Sequence, residues 1–91
     1  MILNKLLNNN KQLNIIPMPT PPRESISGTK GHQVAAFEFS KTSYNYLVEL
    51  ERFMDTEEFT ELDLAEKDLI LGELEEQTKA YEILWERVDQ Y

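Results

Sequence analysis

The chain has 91 residues, 17 acidic against 9 basic side chains, one histidine and no cysteine. One small domain with a single modest core is all this length supports, and the composition leaves no thiolate metal site, disulfide or cysteine nucleophile. A formal charge of -8 argues against general nucleic-acid binding, which depends on lysine and arginine neutralising phosphates.

The charge is unevenly spread. Residues 1–34 carry Lys5, Lys11, Arg23 and Lys30 against Glu24, whereas residues 35–91 carry 16 acids against 5 bases. Residues 1–31 read as an N-terminal arm. Leu3, Leu6 and Leu7 at i, i+3, i+4 predict a short amphipathic helix over about residues 2–9. The start has one lysine and a short apolar stretch but no small-residue cleavage site, so a signal peptide is not expected. Pro17, Pro19, Pro21 and Pro22 then forbid helix from Ile16 to Arg23 and favour an extended strap. With Ile15, Ile16 and Met18 in it, this strap is expected to pack rather than hang free.

Residues 32–91 read as an all-α antiparallel helical hairpin. His32, Ala36, Phe39, Ser43, Tyr46, Leu50 and Phe53 form one helical stripe, flanked by Leu47 and Met54. A rival reading makes 32–39 a strand, with Phe37 and Phe39 alternating around Glu38; the register shared with the later residues favours the helix. Next, Asp55 with Glu58 suggests a capping box for a short helical turn in which Phe59 caps the core. Asp63 with Glu66 suggests a second box, opening a helix that runs to the end of the chain, about 40 Å at 1.5 Å per residue. Along it Ile70, Leu74, Gln77, Tyr81, Leu84, Val88 and Tyr91 make a heptad seam, and Gly72 is one tolerated interruption.

Apolar residues also lie off both seams: Leu71 and Trp85 on the second helix, and Val34, Phe37, Tyr44 and Val48 on the first. One two-helix interface cannot cover them all, so the expectation is a homo-oligomer, with Leu71, Gln77, Tyr81, Trp85 and Val88 as interface residues and the arm taking part of the surface or exchanging between subunits. Gln77 would fix register or partner number.

No chemistry-bearing pattern emerges. The carboxylates lack the spacing of a calcium loop or a di-iron bundle, and Ser40, Thr42 and Ser43 have no base beside them. Neither an enzyme activity nor a cofactor or metal is expected. Arg23, Lys30 and His32 flank the turn Gly28–Gly31 and could hold an anion at a helix N-terminus, although the full phosphate-loop pattern is missing. Glu57, Glu58, Glu61, Asp63 and Glu66 form the densest acidic face. It is either a solvated surface or a partner-binding site that meets a basic patch or imitates phosphates.

Leu50-Glu51-Arg52-Phe53-Met54, Glu58-Phe59, Leu62, Glu66-Lys67, Leu69, Gln77, Tyr81, Leu84 and Arg87 resemble a pattern in small helical accessory proteins of tailed phages and prophages. The resemblance spans about residues 44–88 and leaves the arm outside. It implies a bacterial cytoplasmic protein that blocks a host defence component by binding. Two alternatives stand beside it: an oligomeric sponge for a small anionic, cyclic-nucleotide-type signal, and a purely structural protein with an exchanged arm. Direct nucleic-acid or membrane binding is not expected.

Overall fold

The computed structural model describes residues 18–91, so the short helix expected over 2–9, Ile15 and Ile16 lie outside the described residues. Three helices follow one another: α1 (Gly31–Met54), α2 (Glu57–Thr60) and α3 (Leu64–Asp89). There is no strand among the described residues, and 32–39 is helix. Helices α1 and α3 pack side by side as a hairpin, and the whole is a rod of 46 × 21 × 18 Å. Its length is that of a 26-residue helix, about 39 Å, plus the turn. We call the α2 end the tip and the other the open end.

Local chemistry sets the helix boundaries. At the tip the Thr56 hydroxyl serves two helices. It donates to the Phe53 carbonyl at 2.6 Å, closing α1, and accepts from the Phe59 amide at 3.2 Å, opening α2. The cap of α2 is therefore Thr56, and Asp55 is instead the C-cap of α1. A hydroxyl is both donor and acceptor, so it can join two helices where a carboxylate could serve only the second. Asp63 does cap α3, its Oδ1 accepting from the Glu66 amide at 2.8 Å. Phe59 meets Phe53 edge to face, with ring centroids 5.8 Å apart.

The core is narrow: Ala36, Ser40 and Leu47 on α1 and Leu74, Thr78, Tyr81 and Val88 on α3 are buried. Each stripe departs from the hydrophobic reading at one kind of position. On α1 the buried positions are Ala36, Ser40 and Leu47, with Ser43, Leu50, Phe53 and Met54 half-buried, whereas Phe39 and Tyr46 of the expected stripe are exposed. On α3, Thr78 replaces Gln77, which is exposed. The buried side has rotated by about one residue, toward a third layer. That layer is the non-helical segment 18–30, whose Met18 packs on the Leu47–Leu74–Tyr81 cluster with Tyr44, Leu50, Met54 and Trp85. Ser40 meets its own polar requirement by donating to the Phe37 carbonyl at 2.6 Å.

This segment follows α3 toward the open end. The Tyr81 hydroxyl donates to the Thr20 carbonyl at 2.7 Å, the Trp85 indole N–H to the Pro21 carbonyl at 3.1 Å, and Arg23 pairs with Asp89. The match is chemical. Prolines remove amide donors from the strap and leave it carbonyls, while the phenol and indole of α3 are the donors that need them. The amides of Ser27 and Gly28 then both donate to the Tyr91 carbonyl at 2.9 Å, joining the end of α3 to the entry of α1. Gly28 leaves room for the Gln33 side chain: a Cβ there would lie 2.4 Å from Gln33 Oε1 and displace that amide end, which accepts from the Lys30 amide at 3.0 Å and caps α1.

Candidate functional site

Three regions were singled out by the sequence, and the fold treats them differently. Glu57, Glu58, Glu61, Asp63 and Glu66 come together at the tip, because α2 and the start of α3 are joined there by three residues. All five are exposed, and none is within ion-pair distance of a base among the described residues. Residues 55–68 hold seven acids and one base, Lys67, which is half-buried with its ammonium 5.9 Å from the Phe59 ring. Part of this charge has local work. Glu57 and Glu58 occupy the first turn of α2 and Glu66 that of α3, where the positive helix end favours acids, and Asp63 is a cap.

Arg23, Lys30 and His32 share the open end, but their neighbourhood is occupied by internal contacts. Arg23 is paired with Asp89, and the His32 ring stands edge-on to Tyr91 with centroids 5.9 Å apart. Three amides around the glycine turn are engaged as well, those of Ser27 and Gly28 by Tyr91 and that of Lys30 by Gln33.

Of Leu71, Gln77, Tyr81, Trp85 and Val88, the fold places Tyr81 and Val88 inside the hairpin, each 1% exposed. Trp85 is half-buried under the strap. Only Leu71 and Gln77 remain on the surface. Burial, with the nearby Tyr44 phenol adding to it, pushes the Tyr81 hydroxyl up to about 12 from its ordinary 10. Their rings stand 5.6 Å apart.

Sequence reasoning missed a groove between α1 and α3 on the flank away from the strap. It is lined by Phe39, Ser43, Gln77, Ala80, Ile83 and Leu84, with Arg87 at its end. Phe39 and Ile83 are 61% and 65% exposed. Tyr46 follows on the same α1 face and donates to Glu73 at 2.6 Å. That bond to a carboxylate holds the Tyr46 phenol above its usual range, with desolvation and the charge of Glu73 acting in the same direction. Periodicity assigns Phe39 and Tyr46 to the seam because their size outweighs that of Ser40. Ile83 stood outside every stripe, and that isolation was the available signal.

Among the described residues, no group of three His, Cys, Asp or Glu side chains is placed to hold a metal ion, and no helix is long and apolar enough to cross a membrane. No protein-family model, curated protein or solved structure matches this chain.

Proposed function

We propose that this chain is a non-enzymatic binding protein whose acidic tip docks on a basic surface of a protein partner. The observation that supports this reading is the convergence of Glu57, Glu58, Glu61, Asp63 and Glu66 at one end of a rod, exposed and without ion-pair partners among the described residues. Seven carboxylates against one half-buried lysine over 55–68 make a field of one sign. Such a field steers a basic partner and can stand in for a run of phosphates. A rigid hairpin holds the charges in place, so less side-chain and loop ordering is spent on association. The resemblance of residues 44–88 to tailed-phage accessory proteins makes a host defence component the first partner to test, with inhibition by occlusion as the mode of action.

The test reverses the charge of Glu57, Glu58 and Glu61 to lysine while keeping the cap Asp63. The variant is expected to retain its far-ultraviolet helicity and to lose capture of, and protection against, basic nucleic-acid-binding defence proteins. Capture should also weaken with salt, since exposed charges are screened over about 8–10 Å. Undiminished capture by the reversed variant sinks the reading. The anionic-signal alternative is less well supported by the geometry, because Arg23 and three of the turn amides are already paired internally.

A further inference from the structure

The hairpin is covered on one flank and bare on the other, and the described cover stops partway. On α3, at 100° per residue, Asp68, Leu71, Glu82 and Trp85 lie to one side of Tyr81, and Gln77, Ala80, Leu84 and Arg87 to the other. On α1 the same count puts Tyr44, Val48, Glu51 and Asp55 to one side of Leu47, and Phe39, Ser43 and Tyr46 to the other. The groove marks the second side of each helix, and the strap lies on the first. From Arg23 at Asp89 the strap runs back past Trp85 and Tyr81 to Met18 on the Leu47–Leu74–Tyr81 cluster. It therefore enters from the tip. The lane between Met18 and the tip holds Val48, Glu51, Asp55, Asp68 and Leu71. We propose that this lane is the docking site of residues 11–17 of the same chain, with Ile15 and Ile16 on Leu71 and Val48, and Lys11 among the tip carboxylates.

Reach selects this occupant. Met18 is seated at the inner end of the lane, so the residues before it are held there at an effective concentration of about millimolar. Ile16 and Ile15 precede Met18 by two and three residues, a span of about 7–10 Å. Leu71 lies three residues before Leu74, and Val48 one after Leu47, at the same distance from the cluster or nearer. Leu71 is 40% exposed, so apolar surface continues where the described strap ends. The lane from Leu47 to Asp55 is about 12 Å long, well within the reach of residues 11–17.

Charge selects it too. Residues 1–17 contain Lys5 and Lys11 and no acid. Glu51, Asp55 and Asp68 have no base within 4.0 Å among the described residues. Glu51 is half-buried, and a carboxylate partly withdrawn from water gains most from an ammonium beside it. With Lys11 in the lane, a positive charge stands inside the acidic field, and a basic partner has to displace it. That consequence rests on the tip being the binding surface, whereas the contact itself does not.

The experiment is cross-linking of the full chain with a carbodiimide, which joins an amine directly to a carboxylate in contact with it, followed by peptide mass spectrometry. It uses an equal mixture of isotopically light and heavy chains and no partner, so its outcome is independent of what binds the tip. Lys11 is expected to join Glu51, Asp55 or Asp68 within one isotopic form. Ile15→Ser together with Ile16→Ser, and separately Leu71→Ser, should each lower that yield about tenfold, with helicity by circular dichroism unchanged. The proposal is overturned if Lys11 joins no carboxylate, or joins Glu66 or Glu73 on the bare flank. Pairs that mix light and heavy chains overturn it as well, since the segment would then lie on a second copy. So does a yield indifferent to the serine variants, which would show proximity through the tether alone.

Discussion

Both flanks of Tyr81 carry aromatic side chains and treat them in opposite ways. On the strap side, Tyr44, Trp85 and Met18 close over the Leu47–Leu74 contact, and both aromatic donors of α3 find carbonyls. On the other side Phe39 and Ile83 stand in water, and the Tyr46 hydroxyl reaches across to Glu73. The difference shows where a 91-residue chain obtains its stability. Two helices bury a narrow seam; a third, non-helical layer widens it on one side only. Such a layer costs comparatively little to order, because prolines restrict it in the unfolded chain too.

If the covered flank carries the stability, truncation at its centre should be the most damaging change. Leu47 is 1% exposed and touches Leu74, Tyr81 and the Met18 side of the cluster. Leu47→Ala is expected to cost about 2–5 kcal/mol, from lost transfer energy and the cavity left behind. Against the total of about 5–15 kcal/mol typical of a domain, this should lower the denaturant midpoint sharply. Urea unfolding followed by circular dichroism measures it. A loss below about 0.5 kcal/mol would show that the Leu47 contact is not central.

The strap's own share is smaller and has a pH signature. Tyr81→Phe leaves the Thr20 carbonyl without its donor, which is expected to cost about 1–2 kcal/mol. In the folded protein the Tyr81 hydroxyl titrates near 12, against about 10 when unfolded. Between those values the unfolded chain binds fewer protons than the folded one, so stability falls as pH rises. The contribution is complete below pH 10 and is lost as the pH climbs through about 12. Tyr81→Phe should flatten that part of the stability–pH curve, and unchanged alkaline sensitivity would place its origin elsewhere. Trp85 fluorescence reports on the same strap through its bond to Pro21.

The sequence made the hairpin readable because its signals are local or periodic. The Asp63 cap, the long run of α3, the continuous helix through 32–39 and the exclusion of helix by prolines each follow from residues within a few positions of one another. What it hid was the rotation of the seam. Periodicity within a helix ranks Phe39 above Ser40 and cannot register that a strap from a distant part of the chain covers one side. The carbonyl partners of Tyr81 and Trp85 lie 61 and 64 residues away in sequence. The candidate sites divide in the same way. The acidic tip is contiguous in sequence and therefore visible, whereas the groove combines residues from two helices and was not.

The smallest effect belongs to the bare flank. Phe39 has most of its surface in water already, so Phe39→Ser removes little that folding buried. Measured at a concentration too low for copies to associate, its cost should stay within about 0.5 kcal/mol. It should also leave the Tyr81 alkaline transition unchanged, since the Tyr81 hydroxyl is held by the Thr20 carbonyl on the strap side. A loss comparable to that of Leu47→Ala would mean that Phe39 is a core residue after all and that the original heptad stripe describes the packing. A small loss at low concentration that grows as the protein is concentrated would separate a residue that stabilises the fold from one that serves association. A loss that is the same at every concentration would assign Phe39 to the fold alone, a distinction that concentration can draw and burial alone cannot.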